Sequence, residues 1–235
     1  MLMPRAMGSA MTLAKTPTAI LISGRGSNMM SLVDAARSAD FPVKIVSVIS
    51  NRPDAAGLTW AKSQGIATQV VDHKAYKSRE AFEADLEKSL AASGAEIVAL
   101  AGFMRLMTPE FVARWQDRMI NIHPSLLPAF KGLHTHEQAL AAGVKIAGCT
   151  VHFVRAEMDA GPIIAQAAVP VLSGDTATTL GARVLAAEHK LYPWALRLMA
   201  SGRAHCAGEK VTISEDVNDG VPLFSPSPPA PAKET

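Results

Sequence analysis

Along this chain, short continuous apolar runs alternate with longer stretches in which apolar residues fall three or four apart. Thr18-Ala19-Ile20-Leu21-Ile22 is the first run. It ends at Ser23-Gly24-Arg25-Gly26-Ser27-Asn28, after which Met29, Met30, Leu32, Val33 and Ala36 recur at helical spacing. The pattern reads as strand, glycine loop, helix, and it repeats. Residues 43–49 predict a second strand, Asn51-Arg52-Pro53-Asp54 opens a helix carrying Leu58 and Ala61, and Gln69-Val70-Val71 supplies a third, short strand. Phe82, Leu86 and Leu90 give the next helix its stripe, and residues 96–100 form the next strand. This alternation predicts an α/β fold, a doubly wound and mostly parallel sheet with helices on both faces.

Past the apolar run at Met119-Ile120 the pattern changes. Residues 147–154 and 162–171 are two β-rich runs joined by a short polar segment, predicting a late β-hairpin added to the sheet. From near Asp175 a long helix carries Leu180, Val184, Ala187, Leu191 and Leu198, with an interruption expected at Tyr192-Pro193.

With 235 residues, 49% of them hydrophobic, the chain can bury one sizeable core, so one domain or two fused lobes is expected. A formal charge of +2, with no Lys/Arg run interleaved with aromatics, argues against a nucleic-acid partner. Cys149 and Cys206 are the only cysteines and show neither metal-ligand spacing nor a disulfide framework, which suits a cytoplasmic protein. Residues 1–17 lack the apolar core of a secretory signal and read as a disordered leader. No apolar run approaches the roughly 20 residues that span a bilayer, so no membrane partner is expected. Ser225-Pro226-Ser227-Pro228-Pro229-Ala230-Pro231 reads as a solvated, Pro-rich tail. Folded structure is expected over residues 18–202, with an extension towards residue 223 left open.

The densest chemistry lies in Asn121-Ile122-His123-Pro124-Ser125-Leu126-Leu127-Pro128. Residues two apart on a strand share a face, so Asn121 and His123 are expected to point into one cleft, while Pro124 holds His123 extended at the strand end. A packed strand-end histidine is the alternative. Gly24 and Gly26 allow close backbone approach, and the helix N-terminus after them is a natural anion site. The loop lacks the Gly-Lys-Ser/Thr of a nucleotide P-loop and the third glycine of a dinucleotide fingerprint, so it suits a lone phosphate or simply a tight turn. Asp159, in Arg155-Ala156-Glu157-Met158-Asp159-Ala160-Gly161-Pro162, is a carboxylate partner for His123 or a turn cap. Met104, Leu106 and Met107 around Arg105 form a ligand wall or core. His134 and His136 diverge on a helix, His152 and His189 are ambiguous, and no metal is assigned.

Taken in order, Ser23-Gly24-Arg25-Gly26-Ser27-Asn28, Ala101-Gly102-Phe103-Met104-Arg105, the Asn121 to Pro128 segment, Gly132-Leu133-His134-Thr135-His136, and Val151-His152-Phe153-Val154 followed by Asp159 resemble the folate-dependent phosphoribosylglycinamide formyltransferases. The resemblance implies a Rossmann-like formyltransferase domain over residues 18–202, with 203–235 as a C-terminal extension. It implies transfer of a formyl group from 10-formyltetrahydrofolate, a co-substrate, to the amine of glycinamide ribonucleotide in purine synthesis, without a metal. By the same resemblance Asn121, His123 and Asp159 are catalytic; Gly26, Ser27 and Asn28 bind the phosphate; and Glu188 reaches the ribose. Met104, Arg105, Leu106, Met107 and Asn121, with Arg155, Ala156, Glu157, Met158 and Asp159, surround the folate, and Arg79 lies nearby. A homodimer is left open. Arg25, Ala160 and Leu185 depart from the familiar pattern, which puts the Leu185 substrate contact in question. The nearest rival is a formyltetrahydrofolate deformylase, which shares the Asn, His and Asp but is expected to carry an N-terminal regulatory domain. Methionyl-tRNA formyltransferase would need a basic C-terminal domain, and a non-catalytic phosphate-ligand binding protein would not need the intact trio.

Overall fold

A computed structural model describes residues 14–214 and Ser225. Most of the expected leader and of the Pro-rich tail lies outside the described residues. β1 (Thr16–Ile22) leads through the glycine loop into α1 (Ser27–Ala36), followed by β2 (Val43–Ser50), α2 (Ala56–Ser63), β3 (Thr68–Val70) and a 3-10 turn at His73–Ala75. α3 (Arg79–Ser93), β4 (Ile97–Leu100), α4 (Pro109–Arg114), β5 (Met119–His123) and α5 (Thr135–Ala141) complete the parallel part. β6 (Ile146–Phe153) and β7 (Ile163–Pro170) are the expected late hairpin, α6 (Ala177–Ala200) is the long helix, and β8 (Ala204–Ala207) and β9 (Lys210–Ile213) form a separate two-stranded sheet.

The main sheet has the order β3-β2-β1-β4-β5-β6-β7, with β1 to β5 parallel and β6 and β7 antiparallel. The chain winds outward from β1 to β3, then returns to the other side of β1 with β4. That reversal leaves a crevice beyond the carboxyl ends of β1 and β4, where sheets of this kind take ligands. β1 is central, and its residues alternate between two cores. Ile20 and Ile22 pack on the face covered by α1 and α6, with Leu32, Val184 and Leu196; Ala19 and Leu21 pack on the other, with Phe82, Leu86 and Phe111. A strand buried on both faces has no polar alternation to show, which is why its sequence reads as one apolar run.

α6 runs unbroken across Pro193, where an interruption is expected from sequence. Proline removes one helical donor. Here Tyr192, Ala195 and Leu196, all fully buried, pin the helix to the sheet on both sides of that position. The Tyr192 hydroxyl donates to the Leu100 carbonyl at 2.9 Å and lies 3.3 Å from that of Ile120, so α6 is tied to the last residue of β4 and to β5 beside it. α4 was not expected, although Thr108 and Pro109 carry the signal for it: Thr108 caps the Phe111 amide and Pro109 occupies the first turn. Buried Glu83 accepts from the Thr108 amide at 2.7 Å and from its hydroxyl, locking α3 to α4.

Candidate active site

His123 closes β5 and is 5% exposed. Its Nε2 lies 3.0 Å from the Phe130 carbonyl oxygen, an acceptor only, so this nitrogen carries a hydrogen. Nδ1 faces Asp159 Oδ2 at 3.5 Å. Both ring nitrogens therefore face oxygen acceptors, an arrangement that an imidazolium satisfies with two N–H groups. Asp159 itself sits in left-handed backbone (φ 51), a conformation that Asp and Asn tolerate better than most residues. Rather than capping a local turn, its Oδ2 accepts the Gly132 amide at 2.9 Å across 27 residues of sequence. Lys131 pairs with Glu157 at 3.1 Å, so the loop carrying Asp159 is fastened to the loop carrying Phe130.

The return of the chain after Asp159 depends on Gly161. A Cβ there would stand 1.7 Å from the Phe153 carbonyl oxygen, a backbone atom that cannot swing aside. Gly161→Ala is expected to displace the Asp159 loop and lower turnover by about tenfold or more, in the range of misplacement effects on catalysis. Steady-state kinetics with an unchanged circular-dichroism spectrum would check it.

Asn121 pairs in register with His152 of β6, and its Nδ2 lies 3.4 Å from His152 Nε2. His152 Nδ1 donates to the Phe153 carbonyl at 2.9 Å, and its Nε2 is 3.9 Å from Asp159 Oδ1. Burial pushes the His152 pKa down; the Phe153 carbonyl and Asp159 oppose that shift, and His123 adds to it. Sequence alone left His152 ambiguous, because only the antiparallel register of β6 on β5 brings it beside Asn121.

After β1, Gly26 caps α1 in left-handed backbone (φ 71), and the free amides of the first helical turn open onto the loop. Asn28 Nδ2 donates to Glu188 Oε2 at 2.6 Å, joining the loop to α6. Burial pushes the Glu188 pKa up, opposed by that hydrogen bond. Arg25 is exposed, and its charge adds to burial in lowering the pKa of His189. Ser23, given no role from its motif, ties the segments that follow β2 and β4: its hydroxyl donates to Asn51 Oδ1 at 2.6 Å and accepts the Met104 amide at 2.8 Å. Between the glycine loop, His73 and residues 102–105 lies a cavity of about 330 Å³.

The expected folate residues divide. Met104 and Leu106 are 60% and 59% exposed, and Leu133 and Met158, on the fastened loops, are exposed as well, an unusual apolar surface that suits a flat ring. Arg105 is half-buried, and Ala156 and Glu157 are exposed. Met107 belongs instead to the core with Phe103 and Phe111. The Arg155 guanidinium turns to Asp117 at 2.8 Å and Cys206 Sγ at 3.6 Å, so only its backbone is left for a ligand. Arg79 is exposed at the start of α3, and Leu185 is half-buried on α6. Burial holds the Cys149 and Cys206 thiols up at about 12 and about 11, which makes them poor nucleophiles. No helix among the described residues is long and apolar enough to cross a membrane.

A profile of the formyl transferase family matches residues 17–196. The chain is 53% identical over 204 residues to the trifunctional purine biosynthetic protein adenosine-3 of Bos taurus, covering 86% of this chain and 20% of that one; it thus spans about a fifth of those trifunctional relatives. It is 45% identical to the phosphoribosylglycinamide formyltransferase of Escherichia coli (strain K12), covering 78% of this chain and 87% of that one. The glycinamide ribonucleotide transformylase 1 structure from Symbiobacterium toebii superposes with a TM-score of 0.83 at 49% identity, covering 86% of this chain and 95% of that one. A formyltetrahydrofolate deformylase structure from Pseudomonas syringae also superposes, with a TM-score of 0.81, but at 26% identity and covering 67% of that chain. With the expected sheet, the matching profile, and the Escherichia coli and Symbiobacterium toebii proteins covered to 87% and 95% of their lengths, the chain belongs to the formyl transferase family, among the phosphoribosylglycinamide formyltransferases.

Proposed function

We propose that the protein transfers the formyl group of 10-formyltetrahydrofolate to the amine of 5'-phosphoribosylglycinamide in purine biosynthesis, working on small molecules in the cytoplasm. The observation that supports this reading is that the His123–Asp159 pair stands at the carboxyl end of β5 and the Gly26 to Asn28 loop, tied to Glu188, follows the carboxyl end of β1, two strands of the same parallel sheet. The α1 amides hold the phosphate, and Glu188 takes the ribose. Met104, Leu106 and Met158 offer an apolar slot for the folate ring, which when bound supplies an activated formyl carbon.

Transfer breaks the bond from the formyl carbon to the folate nitrogen and makes one to the amine; the amine loses a proton and the folate nitrogen gains one. The Asn121 amide donates to the formyl oxygen as negative charge gathers on it, and the His123 imidazolium stabilises the same charge and gives up the proton that the folate nitrogen gains. Asp159 holds that imidazolium and accepts the amine's proton, through water. A deformylase would have no use for the phosphate and ribose half. Folate product is therefore expected to form rapidly only with glycinamide ribonucleotide present, with formylated ribonucleotide in equal amount. Absorbance of the folate product, with free formate assayed in parallel, tests this. Formate release at a comparable rate without the ribonucleotide would overturn the transferase reading in favour of the hydrolase.

A further inference from the structure

The hydrogen bonds around His152 fix both of its nitrogens. Nδ1 lies 2.9 Å from the Phe153 carbonyl oxygen, which can only accept, so Nδ1 bears the hydrogen. In the neutral ring Nε2 then carries a lone pair, and that lone pair faces the Asn121 side-chain amide at 3.4 Å. Only the NH₂ end of an amide can meet it. A flipped Asn121 would set its carbonyl oxygen against the nitrogen lone pair. His152 is 2% exposed, so no solvent rearrangement relieves that clash.

We infer that His152 is a positioning residue, which as a neutral, Nδ1-protonated imidazole sets the amide orientation of Asn121 and thereby the direction in which Asn121 donates. This rests on the transferase reading above, in which Asn121 meets the formyl oxygen. His152 touches neither substrate in this account and acts only through Asn121. The groups facing it fit that role: Asp159 Oδ1 at 3.9 Å is too distant for a strong hydrogen bond, and a neutral ring leaves the Asp159 carboxylate to His123 and the Gly132 amide. A charged His152 would do the opposite, donating from Nε2 towards Asp159 and forfeiting its acceptor for Asn121.

The test combines two readouts. Nitrogen NMR of histidine-labelled enzyme reports the tautomer without any need for activity; the His152 signals, assigned by their loss in His152→Phe, are expected to show a protonated Nδ1 and an unprotonated Nε2 near neutral pH. An Nε2-protonated or doubly protonated ring there would overturn the inference. In formyl-transfer kinetics, His152→Phe is expected to lower kcat by about 30-fold with both KM values within about threefold, as for an interaction made chiefly in the transition state. His152→Gln, whose side-chain oxygen can replace the Nε2 acceptor, is expected to recover about tenfold of that loss. In an Asn121→Ala background, His152→Phe is expected to cost no more than about twofold further, because the partner it acts through is gone. A full additional 30-fold loss there, or no recovery with Gln, would assign His152 a purely structural role. Absence of transfer by the unmodified enzyme would instead strike the parent reading and leave the tautomer result standing by itself.

Discussion

Asp159→Asn is expected to lower turnover by at least about 100-fold with both substrates saturating, a loss of the size seen when an essential acid–base group is removed. The fold has little reason to change. Asn tolerates the left-handed backbone that Asp159 occupies, and its side-chain oxygen can still accept the Gly132 amide. What disappears is the negative charge beside His123 Nδ1 and the acceptor for the amine's proton. Saturating kinetics separates this from a binding defect. Turnover within a few-fold of the unmodified enzyme would remove Asp159 from the chemistry, and a loss reversed by more folate would make it a binding group.

Gly26→Val is expected to raise the KM for the ribonucleotide by more than about tenfold while moving that for the folate by less than about threefold, since the branched side chain obstructs approach to the α1 amides. Two physical effects add here. The left-handed φ of Gly26 is strained for a β-branched residue, and a Cβ at this position already meets Met29 Cε at 3.0 Å. Calorimetric titration of each ligand by itself separates loss of ribonucleotide binding from loss of folate binding. Equal weakening of both would indicate a damaged β1–α1 unit rather than a lost phosphate contact.

Much of this was legible in the residues because the local and tertiary signals agree. The strand, glycine loop and helix of residues 16–36 declare themselves by period, and Asn121 and His123 share a strand end as their spacing requires. The antiparallel pair β6 and β7 is likewise visible as two β-rich runs with one short link. What escaped depends on partners distant in sequence. Met107 resembles a ligand wall until the Phe103 and Phe111 rings are seen around it, and Pro193 resembles a break until the packing of Tyr192 and Leu196 outweighs one missing donor. The β8–β9 hairpin is too short and mixed in composition to announce itself. His152 acquires its place only from a cross-strand register that no single segment encodes.

Helix α6 touches both the glycine loop and the strands β4 and β5. Glu188 meets Asn28 of the glycine loop, and Tyr192, four residues on, meets the carbonyls of Leu100 in β4 and Ile120 in β5, just ahead of Asn121. Those two attachments are one helical turn apart, about 6 Å of axial rise along a rigid rod. The helix thus works as a caliper set to one gap, and on the proposed assignment it sets the span between the phosphate and the amine of a bound ribonucleotide. A ribonucleotide analogue with one methylene added to or removed from the glycyl arm would still seat its phosphate, yet present its amine out of step with the formyl carbon, so its penalty would fall on turnover more than on binding.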